Sequence, residues 1–362
     1  MPTPPPHSHD VTRTTITTWL YAESVDDQSH YPQVVGKGAP SSASFQAVYW
    51  RCVALFFATS RRQNPGARHI LYTNVDAVPV VDGHDIAAVL SEWDVEVVRI
   101  PYTFQPPEGY FGTWRNQFYV FDVVRHLARS AGLRDDDVGV ILDSDCFWVR
   151  PADRPAASAR RVRALTYDIG IPEDHKQNGL TPAEMGALYP DVAAALGLDM
   201  PVPEAPPPYI GGEIVAATGA FLRELDALAG PLWAELLRRH AAGLPKFNEE
   251  AHALSFLYYV LGVPDGTANP FVRRIWTMLR KGDDARRPDA DLTLWHVPAE
   301  KRFGIPRLFA EAMKPQSAFW TVDPGEPFRR LVGRFLGVPR RSVRKLVLDV
   351  PTALADKARA LR

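Results

Sequence analysis

The residue types best suited to chemistry are Asp143 and Asp145, two carboxylates separated by Ser144 at the end of the apolar run Val138-Gly-Val-Ile-Leu142. Carboxylate oxygens suit Mg²⁺ and Mn²⁺, and a magnesium ion that keeps several waters needs only one or two of them besides substrate phosphate oxygens. A run of β-formers that stops at two acids reads as a buried strand delivering both to its carboxyl end, where open α/β sheets bind ligands. The competing reading is that one Asp simply caps a turn.

Further candidates lie downstream. Glu213 follows Gly211-Gly212 inside Tyr209-Ile-Gly-Gly-Glu-Ile-Val215, and glycine inside a strand marks a bulge or the close approach of a ligand. Asn248-Glu249-Glu250-Ala-His252-Ala-Leu254-Ser255 reads as a helix start with Asn248 as N-cap. Acids in a first helical turn are stabilising by themselves, so Glu249 and Glu250 are either structural or functional there. His296 stands near the end of the strand-like Leu292-Thr-Leu-Trp-His-Val297, and is a ligand only if others converge on it. Arg115 and Asn116, after Gly112-Thr113, fall in the first turn of a helix carrying Trp114, Phe118, Phe121 and Val124 on one face. A cation there is poorly placed for the helix dipole, yet well placed to meet phosphate; a solvated Arg is the alternative.

Regular elements must position these groups. Thr14 to Tyr21 is dense in β-branched and aromatic residues and gives a first strand. Its end, Tyr21-Ala22-Glu23, opens a ligand-facing loop. Phe45, Tyr49, Val53 and Phe56 fall at helical spacing before Asn64-Pro65-Gly66. A second strand, His69 to Asn74, brings Asn74 to the same edge; a helix from Asp85 to Trp93 and a strand from Val95 to Ile100 follow. This β-α-β-α-β alternation predicts a parallel, doubly wound α/β sheet. Later expectations are a strand at Arg163 to Asp168, a helix from Thr181 to Leu196 and a helix from Ala220 to His240. The proline-rich segment 201–208 ends a long connection that could shape an acceptor pocket.

The chain has 362 residues, 46% hydrophobic and 23% charged, which suits a globular protein with a full core. A formal net charge of -1 argues against whole-protein attraction to nucleic acid. No signal peptide or transmembrane segment is visible, so a cytoplasmic location is expected. Cys52 and Cys146 are too few for a disulfide framework. Residues 1–11 are expected to be disordered, 12–320 to form one catalytic domain (12–150 the nucleotide-binding half, 151–320 the acceptor half), and 321–362 to form a basic tail. The tail reads as short helices packed on the domain with a solvated basic face, Gly337-Val-Pro339 and Pro351 breaking any long helix. The sharper alternative is a weak contact with anionic lipid or a phosphorylated acceptor.

Taken together, the motifs resemble the metal-dependent nucleotide-sugar glycosyltransferases of the GT-A fold. The Asp143-Ser144-Asp145 stretch is similar to their DxD motif. Tyr209-Ile-Gly211-Gly212-Glu213 is similar to the glycine-containing strand beside the donor sugar in blood-group-type transferases, and Asn248 to Ser255 to the acidic helix start of that group. His296, followed by Lys301 or Arg302, resembles the late His and Lys of glycogenin-like enzymes. The resemblance covers roughly residues 12–320 and lacks the Gly-x-x-Lys-Pro-Trp continuation. It implies a nucleotide-sugar donor, such as a UDP-sugar, and a hydroxyl acceptor, with Mn²⁺ or Mg²⁺ on Asp143, Asp145 and His296. Tyr21, Ala22, Glu23, Asn74, Arg115, Asn116, Asp143, Ser144, Asp145, Gly211, Gly212 and Lys301 would then face the donor, and Glu250, Glu213 or Glu249 would serve catalysis. Two other classes stay open. One is a haloacid-dehalogenase-like phosphatase with Gly282-Asp283-Asp284 as second acidic motif, although Phe147 stands where that family expects Thr or Val. The other is a non-catalytic nucleotide-sugar-binding protein.

Overall fold

A computed structural model describes residues 12–27, 29, 38–113, 115–278 and 283–360, with side chains to residue 354. The expected disordered N-terminus, Trp114 and Gly282 lie outside the described residues. The chain begins with β1 (Thr14–Leu20), α1 (Ala43–Gln63), β2 (Arg68–Thr73), a small hairpin of β3 (Val80–Val81) and β4 (His84–Asp85), α2 (Ile86–Glu92) and β5 (Val95–Arg99). Next come α3 (Tyr119–Arg129), β6 (Val138–Leu142), β7 (Cys146–Trp148), α4 (Asp153–Val162), β8 (Ala164–Leu165), α5 (Pro182–Ala187), α6 (Tyr189–Ala195) and β9 (Ile214–Thr218). The remainder is α7 (Gly219–Ala241), α8 (Glu250–Val260), β10 (Val272–Arg274), β11 (Leu294–His296), α9 (Gly304–Ala312), α10 (Ala318–Thr321), α11 (Glu326–Leu336) and α12 (Val343–Ala360).

The central sheet has the order β5-β2-β1-β6-β9-β8, parallel from β5 through β6, with β9 running against its neighbours. This is the mixed α/β class, with a mainly parallel sheet, that the alternation of elements predicts. Successive side chains of a strand point to opposite faces. Accordingly Val138, Val140 and Leu142 enter one core with residues of α1, α4 and α9, while Ile141 enters another with residues of α3, α7 and α8. Helices therefore cover both faces. The strand order reverses at β1, flanked by β2 on one side and β6 on the other, and the crevice beyond the carboxyl ends at such a point is where these sheets bind ligands.

A second, three-stranded sheet, β10-β11-β7, was not legible in the sequence. In it β11 lies antiparallel to β7, with His296 opposite Cys146. That register puts His296 next to Asp145, and the Val297 amide donates to the Asp145 carbonyl at 3.2 Å.

Several boundaries differ from expectation, each for a local reason. Residues 209–215 are not one interrupted strand: β9 starts at Ile214 and the glycines form a turn before it, with the Gly211 amide donating to the Tyr167 carbonyl. The helix expected over 181–196 is two, α5 and α6, because Pro190 has no N–H to continue the first; α5 opens with a capping box between Thr181 and Glu184. The strand at 163–168 shortens to β8 because the amides of Thr166 and Asp168 are taken by the side chains of Thr267 and Asn269. The helix after Gly112 begins as a 3₁₀ turn, Arg115–Phe118. Asn248 is not the N-cap of α8; Glu249 holds that position, and the Asn248 side chain is engaged by Lys246 and the Asn178 carbonyl. Pro351 does not end α12, which runs through it. The carbonyl it frees belongs to Val347, which is exposed, so water can satisfy it.

Part of the tail joins the main core: Phe328, Val332 and Leu336 of α11, and Val338 after it, pack with Trp295, Ile305 and Leu308. Among the described residues, no helix is long and apolar enough to cross a membrane.

Candidate functional site

At the reversal point of the sheet opens a cleft of about 860 Å³, floored by Asp143, Ser144 and Asp145 and walled by Glu213, Glu249, Glu250, His296 and Lys301. The two acids reach it because β6 ends at Leu142 and the chain turns at once into β7, the Cys146 amide donating to the Asp143 carbonyl at 3.0 Å. His296 arrives from the second sheet and Glu213 from the turn before β9, whose carbonyl accepts from the Asp143 amide at 3.1 Å. Lys301 comes from the 3₁₀ turn Pro298–Arg302 that follows β11.

One oxygen or nitrogen from each of Asp143, Asp145 and His296 lies within 4.8 Å of the others. The two imidazole nitrogens have different tasks. Nε2 faces Asp145 Oδ2 at 3.3 Å and Asp143 Oδ2 at 3.9 Å, whereas Nδ1 lies 3.3 Å from Glu213 Oε1. Glu213 is fixed in turn by two bonds from Arg274, 3.0 Å from Nε and 2.9 Å from the terminal nitrogen. A carboxylate behind a histidine is how proteins orient a metal-ligating imidazole. Lys301 donates to the same Asp145 oxygen that His296 Nε2 faces, with its ammonium also over the Tyr49 ring at 5.4 Å.

The cleft lining carries eight carboxyl groups, among them those of Asp143, Asp145, Glu213, Glu249 and Glu250, against five cationic side chains, among them Arg274, His296 and Lys301. The titration behaviour reflects this surplus. Burial and the neighbouring Asp145 charge push Asp143 up to about 6. Burial pushes Glu249 up to about 7, against hydrogen bonds from Tyr209 and Asn178. Burial, with the charges of Glu249 and Asp143, pushes Glu250 well above the usual carboxylate range. Asp145 moves the other way, Lys301 and His296 overcoming its burial, and Glu213 falls to about 2 because Arg274 and His296 outweigh burial. His296 is buried, which disfavours its charge, but Asp145 and Glu213 raise it to about 9. Two carboxylate oxygen donors and one imidazole nitrogen donor converging at one point fit Mn²⁺ or Mg²⁺.

Glu249 and Glu250 differ sharply. Glu249 is held by the Tyr209 hydroxyl at 2.5 Å and by the Asn178 amide. Glu250, the first residue of α8, is buried and its Oε2 has no hydrogen-bond partner among the described residues. A Cβ on Gly212 would collide with Glu250 Oε1, and one on Gly211 with Glu213 Oε2, so the glycines leave room for the two acids.

The remaining candidates divide into those facing the cleft and those behind it. Tyr21, Ala22, Glu23, Asn116, Ser144 and Gly212 line the cleft; Asn74, Arg115 and Gly211 do not. Asn74 clamps the Ala22 backbone, accepting from its amide at 2.7 Å and donating to its carbonyl at 3.0 Å. The Arg115 guanidinium is committed to the Asp27 and Pro106 carbonyls, at 2.8 and 2.6 Å, and is not aimed at a phosphate. Asn116 is better aimed: it lines the cleft and its Oδ1 is buried without a partner among the described residues. Of the connection 172–208, Gln177 and Asn178 reach the cleft, while the proline-rich residues 201–208 are absent from its described lining. Asp284, half of the second acidic motif a phosphatase would need, is engaged by Arg273 and the Trp276 amide. Arg274, Tyr209 and Asn178 are the residues that sequence reasoning missed, since a partner's identity carries no local pattern.

No family model matches the chain. Among curated proteins, a tetraacyldisaccharide 4'-kinase of Methylobacterium radiotolerans is 27% identical over 248 residues, 60% of this chain and 72% of that protein. Among solved structures, the apo bifunctional glycosyltransferase WbbM has a TM-score of 0.45 at 8% identity, over 79% of this chain and 45% of that one. The apo mouse xyloside xylosyltransferase 1 has a TM-score of 0.40 at 9% identity, over 79% of this chain and 96% of that one. The chain thus spans less than half the length of WbbM.

Proposed function

We propose that this protein is a metal-dependent glycosyltransferase of GT-A type that moves a sugar from a nucleoside-diphosphate donor, UDP-linked in the first instance, to an acceptor hydroxyl. The observation that carries the reading is the convergence of Asp143, Asp145 and His296 at the sheet's reversal point, with Glu213 and Arg274 orienting the imidazole. Mn²⁺ or Mg²⁺ held by these three would supply Lewis-acid stabilisation of the departing diphosphate. Lys301, beside Asp145, adds a fixed positive charge to the same side.

In transfer, the bond from the anomeric carbon to the diphosphate oxygen breaks with its electron pair on the leaving group. The acceptor oxygen bonds to that carbon and its proton passes to a carboxylate. We assign this proton to Glu250, whose Oε2 is uncommitted and whose raised pKa makes the ionised form a good base. Glu213, already committed to Arg274 and His296, is a positioning residue, and Glu249, bound by Tyr209 and Asn178, anchors the start of α8. Phosphoryl transfer, the reaction in the Methylobacterium relative's name, also uses a metal and a nucleotide. The present sequence, however, contains no G-x-x-x-x-G-K-[ST] phosphate loop.

The test is a melting-temperature screen of UDP, GDP, ADP and ATP with Mn²⁺ and with chelator, followed by detection of UDP released from UDP-sugars. A nucleoside diphosphate should stabilise the fold only with metal present, because it binds the native state through that ion. A shift with ATP alone, together with ATP consumption, would replace this reading by a kinase; an equal shift in chelator would remove the metal.

A further inference from the structure

Helix α12 is turned inside out. A surface helix normally buries its apolar stripe and exposes its charges. Here Lys345 and Asp349 are buried, at 2% and 0% exposure, while Val343, Val347 and Leu354 are 80%, 65% and 62% exposed. The buried side is held by ion pairs: Lys345 Nζ donates to Glu300 at 2.8 Å and to Asp349 at 2.6 Å, and Asp349 also meets Arg307. With about 100° between successive residues, Val343, Leu346, Val347, Val350 and Leu354 fall within about 100° of one another, opposite Lys345 and Asp349. This is one contiguous outward stripe. The ion pairs hold it there, since rotating the helix to hide the stripe would part the Lys345 ammonium from Glu300 and Asp349 from Arg307.

The charge around the stripe says what covers it. Residues 328–362 contain ten Lys and Arg against two Asp. Lys345 and Arg341 are committed inward, but Arg340 and Arg344 are exposed beside the stripe. A second copy of the chain would bring two such basic segments together, and like charges oppose that. An anionic bilayer surface offers both an apolar boundary for the Val and Leu side chains and negative headgroups for the arginines. We propose that α12 is an interfacial helix that docks the protein on anionic membranes, its apolar stripe inserted and its ionic side retained against the protein.

The test uses the full chain and flotation with vesicles of phosphatidylcholine alone or mixed with phosphatidylglycerol. Binding should require phosphatidylglycerol and weaken at high salt. Val347→Asp and Leu354→Asp should each lower vesicle affinity at least about tenfold, the order expected when a charge replaces an inserted aliphatic group. Their melting temperatures should stay unchanged, since both side chains are exposed. Arg340→Glu with Arg344→Glu should abolish the preference for anionic vesicles. Failure to float with phosphatidylglycerol, or flotation unaltered in both Asp variants, overturns the proposal. So does a lipid-free dimer that Val347→Asp dissociates. None of these outcomes bears on the sugar-transfer reading, which is measured with soluble donor.

Discussion

Glu250→Gln separates the chemistry of the site from its packing. The carboxyl is buried beside Glu249 and Asp143, and its burial and those charges hold its pKa well above the usual carboxylate range. Glutamine copies the shape of the protonated carboxyl, so at low pH no ionised group is lost and the stability change should stay below about 1 kcal/mol, the scale of a single neutral hydrogen bond. The pH dependence should change more. A carboxyl whose folded pKa exceeds its unfolded value binds its proton more tightly in the native state, so its stabilisation is complete below the unfolded pKa. It is then lost as pH rises through the folded pKa, at up to ~1.4 kcal/mol per pH unit. Denaturant titrations from pH 4 upward should show native stability falling with pH through this group, and a shallower fall in Glu250→Gln. Turnover should respond differently: removing a general base costs about 10²–10⁴ in kcat, or roughly 3–5 kcal/mol of transition-state stabilisation, with nucleotide affinity nearly unchanged. If the variant turns over within a few-fold of wild type while binding donor normally, Glu250 does not carry the proton. If its stability keeps the wild-type pH slope, the Glu250 carboxyl does not carry a raised pKa.

Asp145→Asn and Asp143→Asn should each abolish transfer and remove the metal-dependent melting shift with nucleotide, while His296→Ala should weaken metal affinity less completely, because water can replace a neutral ligand but not a charge; calorimetric titration with Mn²⁺ ranks the three. Arg274→Met leaves Glu213 buried beside His296 without its guanidinium and should destabilise by about 3 kcal/mol in urea, with Glu213→Gln in the same chain recovering part of the loss; strict additivity of the two would refute the pairing. Lys345→Met should cost a similar amount, about 3–5 kcal/mol, because Glu300 and Asp349 would share a buried pocket without an ammonium.

How far the sequence foretold this molecule depends on the range of the interaction involved. The β1, β2 and β6 segments declare themselves in β-branched and apolar runs, and the alternation with helices implies the parallel sheet, because those signals are local. Pro190 also marked the division between α5 and α6, although the continuous apolar pattern of 181–196 concealed it. The site is a different matter. Asp143 and Asp145 are legible as a pair because one strand delivers both, but the approach of His296 depends on the β7–β11 register, which joins segments about 150 residues apart. Arg274 reaches Glu213 from β10, a three-residue strand with no recognisable pattern of its own.

Counting the tail's basic residues suggests a solvated face, and Arg330, Arg334, Arg340 and Arg344 are exposed, whereas Lys345 is engaged by Glu300 and Asp349, and Arg341 by the Thr277 and Met278 carbonyls. The same Glu300 accepts from Thr277 and from the Gly304 amide, and it directly precedes Lys301 in the turn that touches Asp145. The buried ionic cluster therefore does two jobs with one set of contacts: it keeps the α12 apolar stripe outward, and it braces the turn carrying Lys301. A substitution that loosens Lys345 should then disturb both the outer surface and the Asp145 side of the cleft, whereas Val347→Asp touches only the surface.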